Sequence, residues 1–319
     1  MLVIAVLGVL APGQVRAGAP DSAQDSAQNN ASTVARARAA FVKYMSSHRP
    51  ALRSTSLKPL TVEGSTLAGS YNWSGFTDAE AASTRVSSVS SQWVIPYVQC
   101  PGGNYRYSDV ILSQWIGIDG WSTGTVEQLG SATQCFEGVE YYYIWYEMFP
   151  NGTVVEGTAD CINNNVDCPR PGDLISASVT ATPAGNYTLS LNDWTNPQQN
   201  FSVTASCAPS TCLDSSAEWI IERPAYPLPF GFQIVPLADF FQTGFFNGEL
   251  TSGGKTTDIE KFQDGPVYDV LMVDDTDSYL LDCVGQRGFG PQVLPTTTNS
   301  CPPVSPSRGS FNVGWDSAF

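Results

Sequence analysis

The chain of 319 residues carries one histidine, His48, and none in residues 49–319. Serine and cysteine nucleophiles need an imidazole base, and HExxH metal chemistry needs two histidines. Neither is available. The Asp-Thr-Gly or Asp-Ser-Gly signature of paired-carboxylate proteases is also missing. Its nearest match, Ile118-Asp119-Gly120, lacks the hydroxyl residue, and there is no Gly-rich phosphate loop. What remains is a carboxylate and a side-chain amide, in Thr125-Val-Glu-Gln128-Leu-Gly130 and Ala217-Glu-Trp-Ile-Ile-Glu222. A glutamate can take a proton from water and return it to a leaving amine. A glutamine NH2 can donate to a developing oxyanion. The amide does not titrate, and a carboxyl with a reference pKa of about 4.3 is partly ionised in mild acid.

Such residues need a rigid surface. From residue 71 onward the chain reads as short strands rich in Val, Ile, Thr, Tyr, Phe and Trp, separated by Gly, Pro, Asn and Asp. The pattern predicts strands over 71–77, 86–94, 109–117, 125–134, 141–149, 174–181, 187–192, 200–204, 217–222, 237–244, 267–273, 278–282 and 310–315. With no helical pattern between them they imply an antiparallel sandwich or barrel. Alternation puts Glu218, Ile220 and Glu222 on one face of their strand, and Trp219 and Ile221 on the other. The second pair suits a core between sheets. Gln128 is expected on a neighbouring strand of the carboxylate face.

The first 69 residues differ in kind. Residues 2–10 are apolar and lead into small-residue sites at Val15-Arg-Ala17 and Ala17-Gly-Ala19, which reads as a signal peptide over 1–19. The run is shorter than the roughly 20 residues a membrane span takes. Residues 20–69 read as a basic pro-segment, with one helix over 32–46 whose apolar stripe is Val34, Ala37, Phe41 and Tyr44. Residues 1–69 hold seven Lys/Arg against three acids, a net charge of +4; residues 70–319 hold eight against 27, a net −19. Opposite charge suggests a leader docked on the body, with cleavage expected at about residues 65–70. The acidic body argues against nucleic acid. Eight cysteines behind a signal peptide favour disulfides; proximity and order suggest Cys161–Cys168, Cys207–Cys212, Cys100–Cys135 and Cys283–Cys301. No C-x-x-C is present to suggest zinc.

Four ordered motifs carry a resemblance: Trp115-Ile-Gly-Ile-Asp119-Gly120, Gln128-Leu-Gly130, Trp145-Tyr-Glu147-Met-Phe-Pro150 and Ala217-Glu-Trp-Ile-Ile-Glu222, after an opening Tyr71-Asn-Trp-Ser-Gly75. The series resembles the glutamic peptidases, or eqolisins, over residues 70–319. That resemblance implies an all-β, concanavalin-like (jelly-roll type) antiparallel sandwich of two large curved sheets. It implies catalytic roles for Gln128 and Glu222, and substrate-binding or supporting roles for Trp115, Asp119, Glu147 and Trp145. It further implies a secreted monomer acting on polypeptides, with its own pro-segment as intramolecular inhibitor and no cofactor, metal, nucleic acid or membrane. Met148-Phe149 stands where the family commonly has an aromatic pair, and the loops at 163–171, 224–232 and 285–306 are individual, which leaves side-chain preference open.

Two other classes fit a sandwich. A glycoside hydrolase needs two carboxyls about 5–5.5 Å or 6.5–9.5 Å apart. Glu218 and Glu222, four strand residues apart, would be roughly 13 Å apart, which leaves Glu147 with Glu222. A lectin-like binding module has no evident use for a basic helical leader. Four sequons, at Asn72, Asn151, Asn186 and Asn200, would matter in a glycosylating host.

Overall fold

The computed structural model describes residues 22–46, 50–54, 60–62, 65–79, 84–101, 109–182, 184–207, 211–259, 265–273, 280–285 and 309–315. The expected signal peptide, His48 and Cys301 lie outside them. The leader supplies α1 (Ser22–Ser46), β1 (Leu60–Val62) and β2 (Ser65–Ser70). The body follows with β3 (Trp73–Ala79), β4 (Val86–Val94), β5 (Asp109–Ile118), β6 (Val126–Phe136), β7 (Val139–Phe149) and β8 (Thr153–Glu156). After the short α2 (Ala159–Asn164) come β9 (Leu174–Ala181), β10 (Asn186–Asp193), β11 (Phe201–Ser206) and β12 (Ser216–Glu222). A small hairpin, β13 (Ala225–Pro227) and β14 (Phe232–Ile234), precedes β15 (Gln242–Ser252), β16 (Lys255–Asp258), β17 (Val267–Val273), β18 (Leu280–Gly285) and β19 (Phe311–Trp315).

The strands form a two-sheet antiparallel sandwich. The front sheet runs β1-β2-β17-β3-β12-β5-β6-β7-β8, with a parallel pair only at β2 and β17. The back sheet runs β11-β10-β9-β4-β15-β16. β15 joins the two: its first residues pair with β19, and after a register shift between Phe246 and Glu249 its last residues pair with β4.

Alternation along the strands makes two separate apolar layers. Trp219 and Ile221 of β12 face inward with Ile116, Ile118, Leu129 and Ile144, against Trp93, Ile175, Val179 and Leu189 of the back sheet. Two indoles span this core: Trp93 Nε1 donates to Ser131 Oγ at 2.9 Å, and Trp219 Nε1 to the Ser90 carbonyl at 3.1 Å. On the outer face of the front sheet Trp73, Trp115, Trp145, Ile220 and Val270 form a second layer. It is closed by Val34, Ala37, Phe41 and Met45 of α1, all buried.

Three differences from the sequence reading have physical causes. α1 begins at Ser22, not at residue 32; the apolar stripe starts where expected, but the Ala- and Gln-containing turns before it extend the helix without one. The strand expected over 237–244 begins only at Gln242, because Phe241 has φ +57° and breaks the extended run. Leu237 and Asp239 make isolated bridges to Ile111 and Gln99 instead. Residues 65–70, read as a cleavable connection, are a strand held by β17 over six positions. Disulfides join Cys100 to Cys135, Cys161 to Cys168 and Cys207 to Cys212.

Candidate active site

The outer face of the front sheet brings the chemical residues together in two rows. In antiparallel sheets, directly paired residues share a face. One row is Thr77, Glu218, Gly117, Gln128, Glu147 and Thr153, read across β3, β12, β5, β6, β7 and β8. The next is Gly75, Ile220, Trp115, Gly130, Trp145 and Val155. Glu222 stands two residues beyond Ile220, on the same face.

Glu222 is fully buried and meets two N–H donors. Trp115 Nε1 donates to Oε2 at 2.8 Å, and Asn72 Nδ2 donates to Oε1 at 3.2 Å. Such donors favour the ionised carboxylate. Gln128, also buried, donates from Nε2 to Glu147 Oε2 at 2.8 Å. The other Glu147 oxygen accepts from Thr153 Oγ1 at 3.1 Å. Glu147 thereby fixes which way the Gln128 amide points.

The Trp115 indole fills the ground between the two. A Cβ at Gly117 would lie 2.9 Å from Trp115 Cζ3 and 3.1 Å from Gln128 Cβ, so only glycine lets the ring lie flat beside Gln128. Gly130 does the same on the other side, where a Cβ would lie 2.6 Å from Trp115 Cβ. Trp145 stands across Gly130 from Trp115, buried in the apolar layer.

Asp119 has a different placement. It sits just past β5 with φ +68°, and its oxygens accept from Leu213 N, Asp214 N, Ser215 N and Ser215 Oγ at 2.7–2.9 Å. Burial raises its pKa in spite of those donors. Its contacts organise the turn into β12. Glu127, facing the opposite side from Gln128, is buried against Cys212 Sγ at 2.8 Å, and burial with neighbouring Asp119 and Asp214 raises its pKa to about 9. Glu127, Cys207 and Cys212 bring ligand atoms within 4.8 Å of one another, but both sulfurs are in a disulfide and present no thiolate.

Sequence reasoning missed two members of this constellation. Thr153 carries no motif signal. Asn72 enters the sequence as a sequon and as part of the Tyr71–Gly75 motif with no role attached, yet its side chain is buried and bonded to Glu222.

The leader covers this face. Phe41 stacks on Tyr143 with ring centroids 4.3 Å apart, and Tyr44 donates to Asp109 Oδ2 at 3.0 Å. Arg36 makes a two-pronged pair with Glu137 at 2.6 and 3.1 Å. Ser46 Oγ accepts from Thr153 N at 2.9 Å, beside Glu147, while Leu52 N donates to Asn72 Oδ1 at 2.8 Å, beside Glu222. Arg53 lies over the Trp121 ring, 4.0 Å from its centroid, and donates to the Trp121 carbonyl.

A two-sheet sandwich thus carries an amide and a carboxylate on one face, with α1 packed over it. The Peptidase A4 family model matches residues 71–283, and the chain belongs to that family: it is a peptide hydrolase with polypeptide substrates. It is 28% identical over 221 residues to aspergillopepsin-2 of Aspergillus niger, covering 62% of this chain and 72% of that protein. Its fold is similar to that of scytalido-glutamic peptidase with a transition state analog inhibitor, at TM-score 0.54 and 21% identity over 77% of this chain and 98% of the other. A second structure of that peptidase, with a peptide-based analog, gives TM-score 0.53 and 22% identity over the same shares. No helix among the described residues is long and apolar enough to cross a membrane.

Proposed function

We propose that the protein is a secreted, monomeric endopeptidase working in acid, in which Glu222 activates water and Gln128 stabilises the tetrahedral oxyanion. The observation that carries this reading is the donor arrangement: two N–H groups on Glu222, and a carboxylate that orients the Gln128 amide. Ionised Glu222 takes a proton from a water whose oxygen attacks the scissile carbonyl carbon. The carbonyl oxygen becomes the oxyanion and accepts from the Gln128 NH2. Glu222 then gives its proton to the leaving nitrogen as the C–N bond breaks, and it ends ionised. Glu147 and Thr153 position Gln128, and Trp115 positions Glu222. Asp119 supports the site through the turn it holds.

The same reading makes the leader an intramolecular inhibitor, because Ser46 and Leu52 anchor it on either side of the two catalytic groups. Maturation removes it in acid. The expected cleavage stretch is β2 itself, so a cut there requires that strand to open from β17.

The test is expression of the whole chain, incubation at about pH 3–4, near the glutamate reference value, and measurement of N-terminal shortening and of cleavage of a denatured protein. Glu222→Gln and Gln128→Ala are expected to abolish both. Full activity in either variant sinks the mechanism. Sugar release without proteolysis would instead favour the glycosidase reading, which Glu147 supports poorly, since both its oxygens face Gln128 and Thr153.

A further inference from the structure

Asn72 links the leader to the proposed catalytic base. Its Nδ2 donates to Glu222 Oε1, while its Oδ1 accepts from Leu52 N at 2.8 Å and from Ser70 Oγ at 3.0 Å. The Asn72 carbonyl accepts from Arg223 N at 3.0 Å, so the residue is held from its backbone as well. Around it residues 52–54 lie antiparallel to residues 69–71 through an isolated bridge. Tyr71 N donates to the Leu52 carbonyl and Ser54 N to the Gly69 carbonyl, each at 2.8 Å, with a bridge between Arg53 and Ser70.

What Asn72 recognises in Leu52 is a backbone N–H. Every residue except proline offers one, so the contact is independent of sequence, as strand addition generally is. We propose that Asn72 is the positioning residue that registers an extended peptide substrate against Glu222. Its Oδ1 accepts a substrate backbone N–H where the Leu52 N–H now sits, while its NH2 holds the Glu222 carboxylate in line. The inference rests on Glu222 being the base. An amide suits the task because it offers an acceptor and a donor together and keeps both in acid. An ionised aspartate would keep only acceptors and add a like charge beside Glu222. A protonated one would donate again. The leader and the substrate compete for one atom, so leader release and substrate entry are a single exchange at Asn72.

The whole chain, activated in acid, is assayed from pH 2.5 to 6 as wild type, Asn72→Ala, Asn72→Asp and Glu222→Gln. Asn72→Ala is expected to lose about 10- to 100-fold in kcat/KM, the usual worth of a hydrogen bond to a charged group. Asn72→Asp is expected to stay within about fivefold of wild type near pH 3, where its carboxyl can donate, and to fall away above about pH 4. In a peptide series with one backbone N–H at a time replaced by an ester oxygen, one position should cost wild type about tenfold and cost Asn72→Ala nothing further. Melting temperature in acid identifies any variant that fails to fold; if Asn72→Ala does, the pH profile of Asn72→Asp against wild type carries the test. The proposal is overturned if Asn72→Ala keeps wild-type kcat/KM, if Asn72→Asp shows a pH-independent loss, or if no ester position distinguishes wild type from Asn72→Ala. An active Glu222→Gln would overturn the reading of the base instead, whatever Asn72 does.

Discussion

Glu218 and Glu222 are the same residue type, on the same strand and the same face, and both are fully buried. Their surroundings differ. Glu222 meets the Trp115 indole and the Asn72 amide. Neither Glu218 oxygen meets an N–H donor among the described residues, and the nearby Ser216 hydroxyl only partly offsets its burial. Burial raises the Glu218 pKa well above the usual range, and the nearby carboxyls of Asp119, Glu127 and Asp78 add to that. One end of β12 therefore holds a carboxyl whose donors favour ionisation, and the other a carboxyl whose burial favours the protonated form. Sequence position alone cannot separate them; the donors brought by β3 and β5 do.

The sharpest way to break this contrast is to replace each by its neutral isostere. Glu222→Gln should cost about 10³-fold or more in kcat/KM, at the upper part of what general acid–base groups supply. Glu218→Gln should stay within a few-fold, because a neutral amide replaces a carboxyl whose burial already favours its neutral form. Comparable losses in both, measured on the activated chain, would mean the two ends are not chemically distinct. Next in size is Trp115→Phe, which keeps a ring but removes the indole donor. A loss of about 10- to 100-fold is expected, together with an upward move of the acid limb of the pH profile, since a donor to the carboxylate favours its ionised form. A pH-independent loss would assign Trp115 to packing alone.

The neutral acids also predict how stability depends on pH. Glu218 and Glu127 have folded pKa values above their unfolded ones, Glu127 at about 9. Each binds a proton more tightly when folded. The stabilisation is complete below the unfolded pKa of about 4.3 and is lost as pH rises toward the folded value, at about 1.4 kcal/mol per pH unit for each group in that window. Melting temperature should therefore fall between about pH 5 and 8, and less steeply in Glu127→Gln and Glu218→Gln. A flat profile in wild type would show that both acids are already ionised in the fold.

Much of this was legible beforehand, for identifiable reasons. Strands over 86–94, 174–181 and 267–273 have the bounds their periodicity predicts, because each strand's own side chains form one side of a core. β2 was not legible. Ser65-Thr-Leu-Ala-Gly-Ser70 lacks a run of β-branched or aromatic residues, and it is a strand because β17 offers a parallel partner. At the site, alternation placed Glu222 with Glu218 on one face, and ordered motifs singled out Gln128. Alternation could not show that Trp115 and Asn72 reach the same carboxylate, nor that Asp119 holds the turn over 213–215. Those are contacts between residues far apart in sequence, set by strand order.

A third kind of carboxylate gives the smallest effect. Glu137 is exposed and paired with Arg36 of α1, whose hydrogen bond lowers its pKa. A depressed pKa contributes above the unfolded value and is lost as pH falls through the folded one, so this contact with the leader weakens only in strong acid. Exposed pairs contribute little, whereas Phe41 buries a whole ring against Tyr143. Arg36→Ala should change the rate of leader release in acid by less than about threefold, and the effect should shrink only in strong acid, as Glu137 is protonated below the ordinary glutamate range. An effect persisting unchanged at pH 2.5 would mean Arg36 acts through its guanidinium over the Phe136 ring, 5.6 Å from its centroid, and not through the charge of Glu137.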